Sequence, residues 1–140
     1  MARSWALASY LSGVDLHIGA PAEYQLDLAT LPNVPQAGSV TLTDDVMAAA
    51  ADADFIYTDV WVSMGFEAES QQRLQDLQPY QVDARVMAAA KSDCKVMHCL
   101  PAHRGQEITA EVLDGPQSII WDEAENRLHA QKAVLTHLLG

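Results

Sequence analysis

Apolar residues recur along this chain in two rhythms, one close to the period of a helix and one alternating or continuous as in a strand. From Met1 to Leu11, Trp5, Ala8 and Leu11 share a face and Gly13 follows, which predicts a helix with a glycine stop. Val14 to Ile18 alternates as a strand up to Ala20-Pro21. Residues Ala22 to Leu31 read as partly helical, Pro32, Pro35 and Gly38 mark a loop, and Ser39 to Leu42 predicts a short strand. Thr43 is placed to cap a helix over Asp44 to Ala51, with Asp44 and Asp45 in the first turn, where the macrodipole favours acid.

Asp54 to Val60 reads as a strand whose polar residues gather at its C-terminal end. Glu67 to Leu77 is helical by composition and Pro79 interrupts it. Helix resumes over Asp83 to Lys91, with Val86, Met87 and Ala90 on one side. Lys95 to Cys99 predicts a buried strand, and Thr109 the cap of a short helix closed by Gly115-Pro116. Ser118 to Trp121 predicts one more strand. A last helix over Glu123 to Leu139 carries Leu128, Leu135, Leu138 and Leu139 on one stripe. Strands alternating with helices at this spacing predict an α/β fold, a doubly wound parallel sheet, with ligands beyond the carboxyl ends of its strands.

Composition narrows the class. The chain has 140 residues, 49% of them hydrophobic, which fits one domain with a sizeable core. Nineteen acidic residues against eight basic ones give a net charge of −11, so phosphate-rich partners such as nucleic acid or an anionic membrane surface are excluded. No apolar run reaches the length of a membrane span, and the opening residues lack the apolar core and cleavage site of a signal peptide. Two cysteines, Cys94 and Cys99, stand at the start and end of one predicted strand, a poor geometry for a disulfide, so a reducing cytoplasm is the expected compartment.

The candidate chemistry lies in two stretches. In Lys95 to Gly105 an apolar run ends at His98-Cys99 and a Leu100-Pro101 bond, which can adopt cis in a tight bend and would deliver a thiol to a sheet edge. Cys99 reads either as a buried small hydrophobe or as a reactive thiol. Asp59, at the end of its strand, with Ser63, Met64 and Gly65 in the loop beyond, reads either as ordinary loop chemistry or as a site for a small zwitterion. In the second reading the carboxylate takes an ammonium, and the hydroxyl and backbone N–H groups take a carboxylate. His98, Cys99 and His103, with Cys94 nearby, match no usual metal-ligand spacing, so no metal site is expected. Arg127, early in the last helix, reads as a solvated arginine paired with Glu123, and Arg104 is structural or auxiliary.

His98-Cys99-Leu100-Pro101, preceded by Asp59-Val60-Trp61-Val62-Ser63-Met64-Gly65 and followed by Asp122-Glu123-Ala124-Glu125-Asn126-Arg127, resembles the C-terminal half of ornithine carbamoyltransferases over essentially the whole chain. The resemblance implies an ornithine-binding domain over residues 1–140, without the N-terminal carbamoyl-phosphate domain, whose Ser-Thr-Arg-Thr-Arg and His-Pro-x-Gln motifs have no counterpart here. It implies a Rossmann-like sheet lacking its first central strand, and Met1 then resembles an internal methionine. Asp59, Ser63 and Met64 would hold ornithine, Cys99 and Asp59 would serve its δ-amine, and Cys99, Leu100 and Arg127 would meet carbamoyl phosphate. The reaction implied gives citrulline and phosphate, in arginine metabolism, with no cofactor and no metal. Activity would need the missing half, and full-length relatives are homotrimeric. The alternatives are a non-catalytic amino-acid-binding remnant, or a carbamoyltransferase for another amine such as putrescine; Ser63-Met64-Gly65 argues against putrescine, which has no α-carboxylate to recognise.

Overall fold

Gly13 stops the first helix, α1 (Ala2–Ser12), by taking a φ of 81°, left-handed, so that its N–H closes on the Ser9 carbonyl. The computed structural model describes residues 1–62, 65 and 67–140. After α1 come two parallel strand pairs. Strand β1 (Leu16–Gly19) pairs with β2 (Val40–Thr43), and β3 (Phe55–Thr58) pairs with β4 (Lys95–His98). Helix α2 (Val46–Ala50) packs on β1 and β2 and also on α4 (Ala84–Ala89), and Trp5 of α1 meets Tyr57 of β3 edge-on with ring centroids 5.0 Å apart. The expected parallel α/β architecture is present. No strand among the described residues joins the two pairs, so the sheet lacks a member, as the resemblance implied.

Side-chain alternation sets which way each strand faces. Ile56 and Val96 stand opposite one another across β3 and β4 and point into a core completed by Val82, Val86, Ile108 and Ile120. This core lies under the carboxyl half of the chain. At the amino end the packing is tighter around small residues. Ser9 is buried, its Oγ 2.6 Å from the Val14 carbonyl oxygen and 2.8 Å from that of Ser39, with one proton shared between two acceptors. Gly38 fits beside it because it has no side chain: a β-carbon there would stand 2.5 Å from the Ser9 carbonyl oxygen and nearer still to that of Val14.

Two local expectations need correction. The cap of α2 is Asp45 rather than Thr43: its Oδ1 accepts the N–H groups of Met47 at 2.8 Å and Ala48 at 3.2 Å, while the Thr43 hydroxyl accepts the N–H of Asp45. A carboxylate satisfies two orphan donors at once, so the helix begins later. The stretch Glu67 to Leu77 is a 3-10 turn, Glu67–Glu69, followed by α3 (Ser70–Leu77), and Pro79 sits in a second 3-10 turn, Gln78–Tyr80.

The predicted strand from Ser118 to Trp121 shrinks to one bridge beside Val96, with the Val96 N–H on the Gln117 carbonyl and the Ile119 N–H on the Val96 carbonyl, each at 2.9 Å. Chain direction then changes, and α6 (Ile120–Leu139) starts with Ile120 buried and with Asp122 and Glu123 in its first turn. Acidic residues there favour a helix start over a strand end. Thr109 caps α5 (Ala110–Leu113) through the Val112 N–H, as expected, and Asp83 caps α4.

Most of α6 stands clear of the body. Leu128, Leu135 and Leu138 are 60, 55 and 71% exposed, so the apolar stripe lies open. No helix among the described residues is long and apolar enough to cross a membrane.

Candidate active site

Because β3 and β4 are parallel neighbours with Thr58 opposite His98, the residues that follow, Asp59 and Cys99, emerge side by side at the carboxyl edge. The Cys99 thiol donates to Asp59 Oδ1 across 2.9 Å, and the same oxygen accepts the Val60 N–H at 2.8 Å. Two sequence-predicted residues 40 positions apart are thus brought into contact by strand register alone. Cys99 is half-buried, whereas Cys94, at the other end of the strand, is buried in the core.

Burial pushes the Cys99 thiol up, the neighbouring Asp59 carboxylate pushes it further, and the Tyr57 hydroxyl opposes them only in part. The resting sulfur is therefore a thiol that donates to a carboxylate. Tyr57, behind the pair, has its hydroxyl pushed up by burial first and by Cys99 next. Alkylation of Cys99 by iodoacetamide is expected to rise with pH about a midpoint above that of an ordinary thiol. Buried Cys94 does not compete in the folded chain. A midpoint at or below the ordinary value would mean that the site stabilises a thiolate.

Past Cys99 the backbone turns sharply. Leu100 has a φ of 56° and its bond to Pro101 is cis, the form that the sequence allowed. The Leu100 N–H donates to His98 Nδ1 at 2.9 Å, and His98 Nε2 lies 3.1 Å from Glu107 Oε1. His98 and Cys99, adjacent in sequence, thus serve opposite faces, His98 reaching into the core and Cys99 toward Asp59. The main-chain N–H of His98 is held separately by Glu123 Oε2 at 2.9 Å. Leu100, Pro101 and Ala102 also line an open cavity of about 480 Å³, together with Leu113 and Trp121.

Glu107 is the residue that sequence reasoning missed. Burial is the largest single influence on its carboxyl and opposes ionisation, yet the hydrogen bonds from His98 and the His103 backbone together outweigh it and hold the group below the usual carboxylate range. The signal that could have found it is the inward position of His98, two residues after buried Val96, since a buried imidazole needs a partner.

The other candidates fall apart from this cluster. Ser63 and Met64 lie outside the described residues; Gly65 is described, with a φ of 93°. Arg127 is exposed in the second turn of α6, and Glu123, the partner considered for it, is occupied by the His98 N–H. Arg104 grips Asp114 with two nitrogens, at 2.8 and 3.0 Å, which is its structural reading. Among the described residues no three His, Cys, Asp or Glu side chains converge to hold a metal ion.

Residues 1–138 match the family described as aspartate/ornithine carbamoyltransferase, Asp/Orn binding domain. An ornithine carbamoyltransferase of Methanoculleus marisnigri is 51% identical over 138 residues, which are 98% of this chain and 45% of that protein. Among solved structures, the ornithine carbamoyltransferase from Pyrococcus furiosus superposes with a TM-score of 0.84 at 45% identity, over 96% of this chain and 45% of its own. The anabolic enzyme from Campylobacter jejuni gives 0.87 at 30% identity, over 99% of this chain and 47% of its own. The chain therefore spans less than half the length of these relatives.

Proposed function

Because the chain belongs to the aspartate/ornithine carbamoyltransferase family, matching its Asp/Orn-binding domain, we propose that it is the ornithine-binding part of an ornithine carbamoyltransferase of the cytosol. The observation that carries this reading is the 2.9 Å contact between Cys99 and Asp59 at the adjoining ends of two parallel strands. Ligands of open α/β sheets bind at that edge.

In this reading Asp59, Ser63 and Met64 hold ornithine, with its δ-amine beside Asp59 and Cys99. Leu100, through its carbonyl, orients the carbamoyl group with Cys99 alongside, and Arg127 offers a guanidinium fork to the phosphate. An amine attacks only when neutral, so its extra proton must leave first. The Asp59 carboxylate, already the acceptor of the Cys99 proton, is the base; the neutral thiol steers the amine. The δ-nitrogen then bonds to the carbonyl carbon, its second proton passes to the phosphate as the carbon–oxygen bond to it breaks, and citrulline and phosphate depart. Positioning and charge neutralisation supply the acceleration. Most contacts to carbamoyl phosphate come from a phosphate-binding half outside these 140 residues.

Calorimetric titration of the chain with L-ornithine and with putrescine tests the binding half of this reading. A citrulline-forming assay, with and without the N-terminal half of the Methanoculleus relative, tests the catalytic half. Ornithine is expected to bind and putrescine to bind far more weakly, with citrulline formed only when both halves are present. A folded chain that ignores ornithine would overturn the substrate assignment. Ornithine binding with no citrulline in either assay would make the chain an amino-acid-binding module instead.

A further inference from the structure

On the functional reading above, which this inference deepens, the reacting groups hang from a short segment, Cys99 to Ala102, that leaves β4 in an unfavourable conformation. Leu100, with a φ of 56°, lies in the left-handed region that crowds a residue bearing a β-carbon. Such a backbone persists only where its surroundings over-determine it.

Those surroundings can be traced bond by bond. The Leu100 N–H donates to His98 Nδ1 at 2.9 Å, so that nitrogen carries a lone pair and the ring proton sits on Nε2. Nε2 faces Glu107 Oε1 at 3.1 Å, and the same oxygen accepts the His103 N–H at 2.5 Å. One carboxylate oxygen therefore grips the residue just before Cys99 and the residue just after Ala102. Glu107 is in turn fixed at its own backbone, where its carbonyl accepts the Val82 N–H at 2.9 Å.

Burial makes this arrangement informative. His98 is 1% and Glu107 0% exposed, beside Val82, Val96 and Ile108. A carboxylate in such surroundings is unfavourable unless hydrogen bonds hold it, and an apolar pair would fill the space at least as well for stability alone. We propose that Glu107 and His98 are positioning residues: without touching substrate, they clamp both ends of the Cys99–Ala102 segment and so set where the Cys99 thiol and the Leu100 carbonyl stand relative to Asp59.

The test reads the sulfur directly. Iodoacetamide alkylation at pH 8 reports Cys99 alone in the folded chain, because Cys94 is buried. Glu107→Gln keeps an oxygen acceptor for His98 and His103. Glu107→Leu removes it. His98→Gln retains an amide donor for Glu107 but loses the acceptor beside Leu100, and it decides the matter if the leucine variant does not fold.

With folding checked by circular dichroism, Glu107→Gln is expected to react at close to the parent rate. Glu107→Leu and His98→Gln are expected to react about tenfold faster, as a thiol freed from its carboxylate neighbour regains thiolate character. A folded His98→Gln or Glu107→Leu that reacts at the parent rate would overturn the proposal and leave the pair a purely structural role. Equal acceleration in Glu107→Gln and Glu107→Leu would overturn it as well. None of these rates needs a substrate, so failure of the unmutated chain to bind ornithine would count against the functional reading and not against the clamp.

Discussion

Asp59→Asn is expected to lower the affinity of the folded chain for L-ornithine by roughly thirtyfold to several thousandfold, corresponding to about 2–5 kcal/mol for removing one partner of a desolvated charge pair. The substitution is close to isosteric. An asparagine oxygen can still accept the Val60 N–H and the Cys99 thiol, the two bonds that Asp59 Oδ1 makes. Local structure should therefore survive, and the loss should be one of charge. Calorimetry of the variant against the parent measures it, with a thermal melt to show that the fold is intact. Affinity within about threefold of the parent would place the ammonium of the ligand elsewhere, since even a modest charge contact of ~1.5 kcal/mol exceeds that factor. A second readout follows from the same change. The carboxylate is the second cause of the raised Cys99 pKa and burial the first, so Cys99 should alkylate faster in the variant while remaining less reactive than a free thiol.

The second large effect is structural and lies far from the site. Gly38→Ala is expected to destabilise the chain by at least about 1–3 kcal/mol, the usual penalty for overpacking. The added β-carbon would collide with the carbonyl oxygens of Val14 and Ser9, which are backbone atoms that cannot rotate away. Relief requires α1 to separate from the β1–β2 pair. That movement would break the Ser9 hydroxyl contacts to Val14 and Ser39, which tie the same three elements together. The thermal midpoint should fall by several degrees, roughly 2–8 °C for each kcal/mol in a domain of this size. An unchanged midpoint would mean that the junction is plastic. The opposite case is Gly105, where a β-carbon meets nothing nearby and the only objection to a side chain is the φ of 86°.

Much of this architecture was legible from periodicity because its cause is local. Most helices show a face of apolar residues in the sequence, and Thr109 caps where expected. Misreadings occurred where two local signals competed. Thr43 and Asp45 both cap well, and the carboxylate won because it reaches two N–H groups. Ser118-Ile119-Ile120-Trp121 has strand composition, but Ile120 had to turn into the core, and the acidic pair after it favoured a helix start.

The site divides in the same way. Asp59 and Cys99 were identifiable as strand-end residues, and parallel register brings them together whatever the loops do. Glu107 was not identifiable, because its role arises from a loop that returns beneath the strand end and buries a carboxylate against an imidazole. Neither residue's neighbours in sequence announce that meeting.

By itself, then, the order of residues determined the alternation of helices and strands, the parallel pairing it requires, and the edge at which a thiol and a carboxylate appear. These depend on side-chain period and strand direction, which act over a few residues. Tertiary structure alone decided that the Cys99 sulfur rests as a thiol on Asp59 and that His98 turns inward to Glu107. Those outcomes depend on burial and on the distance between groups far apart in the chain. Desolvation and hydrogen bonding act through space, and only the folded arrangement sets which groups they join.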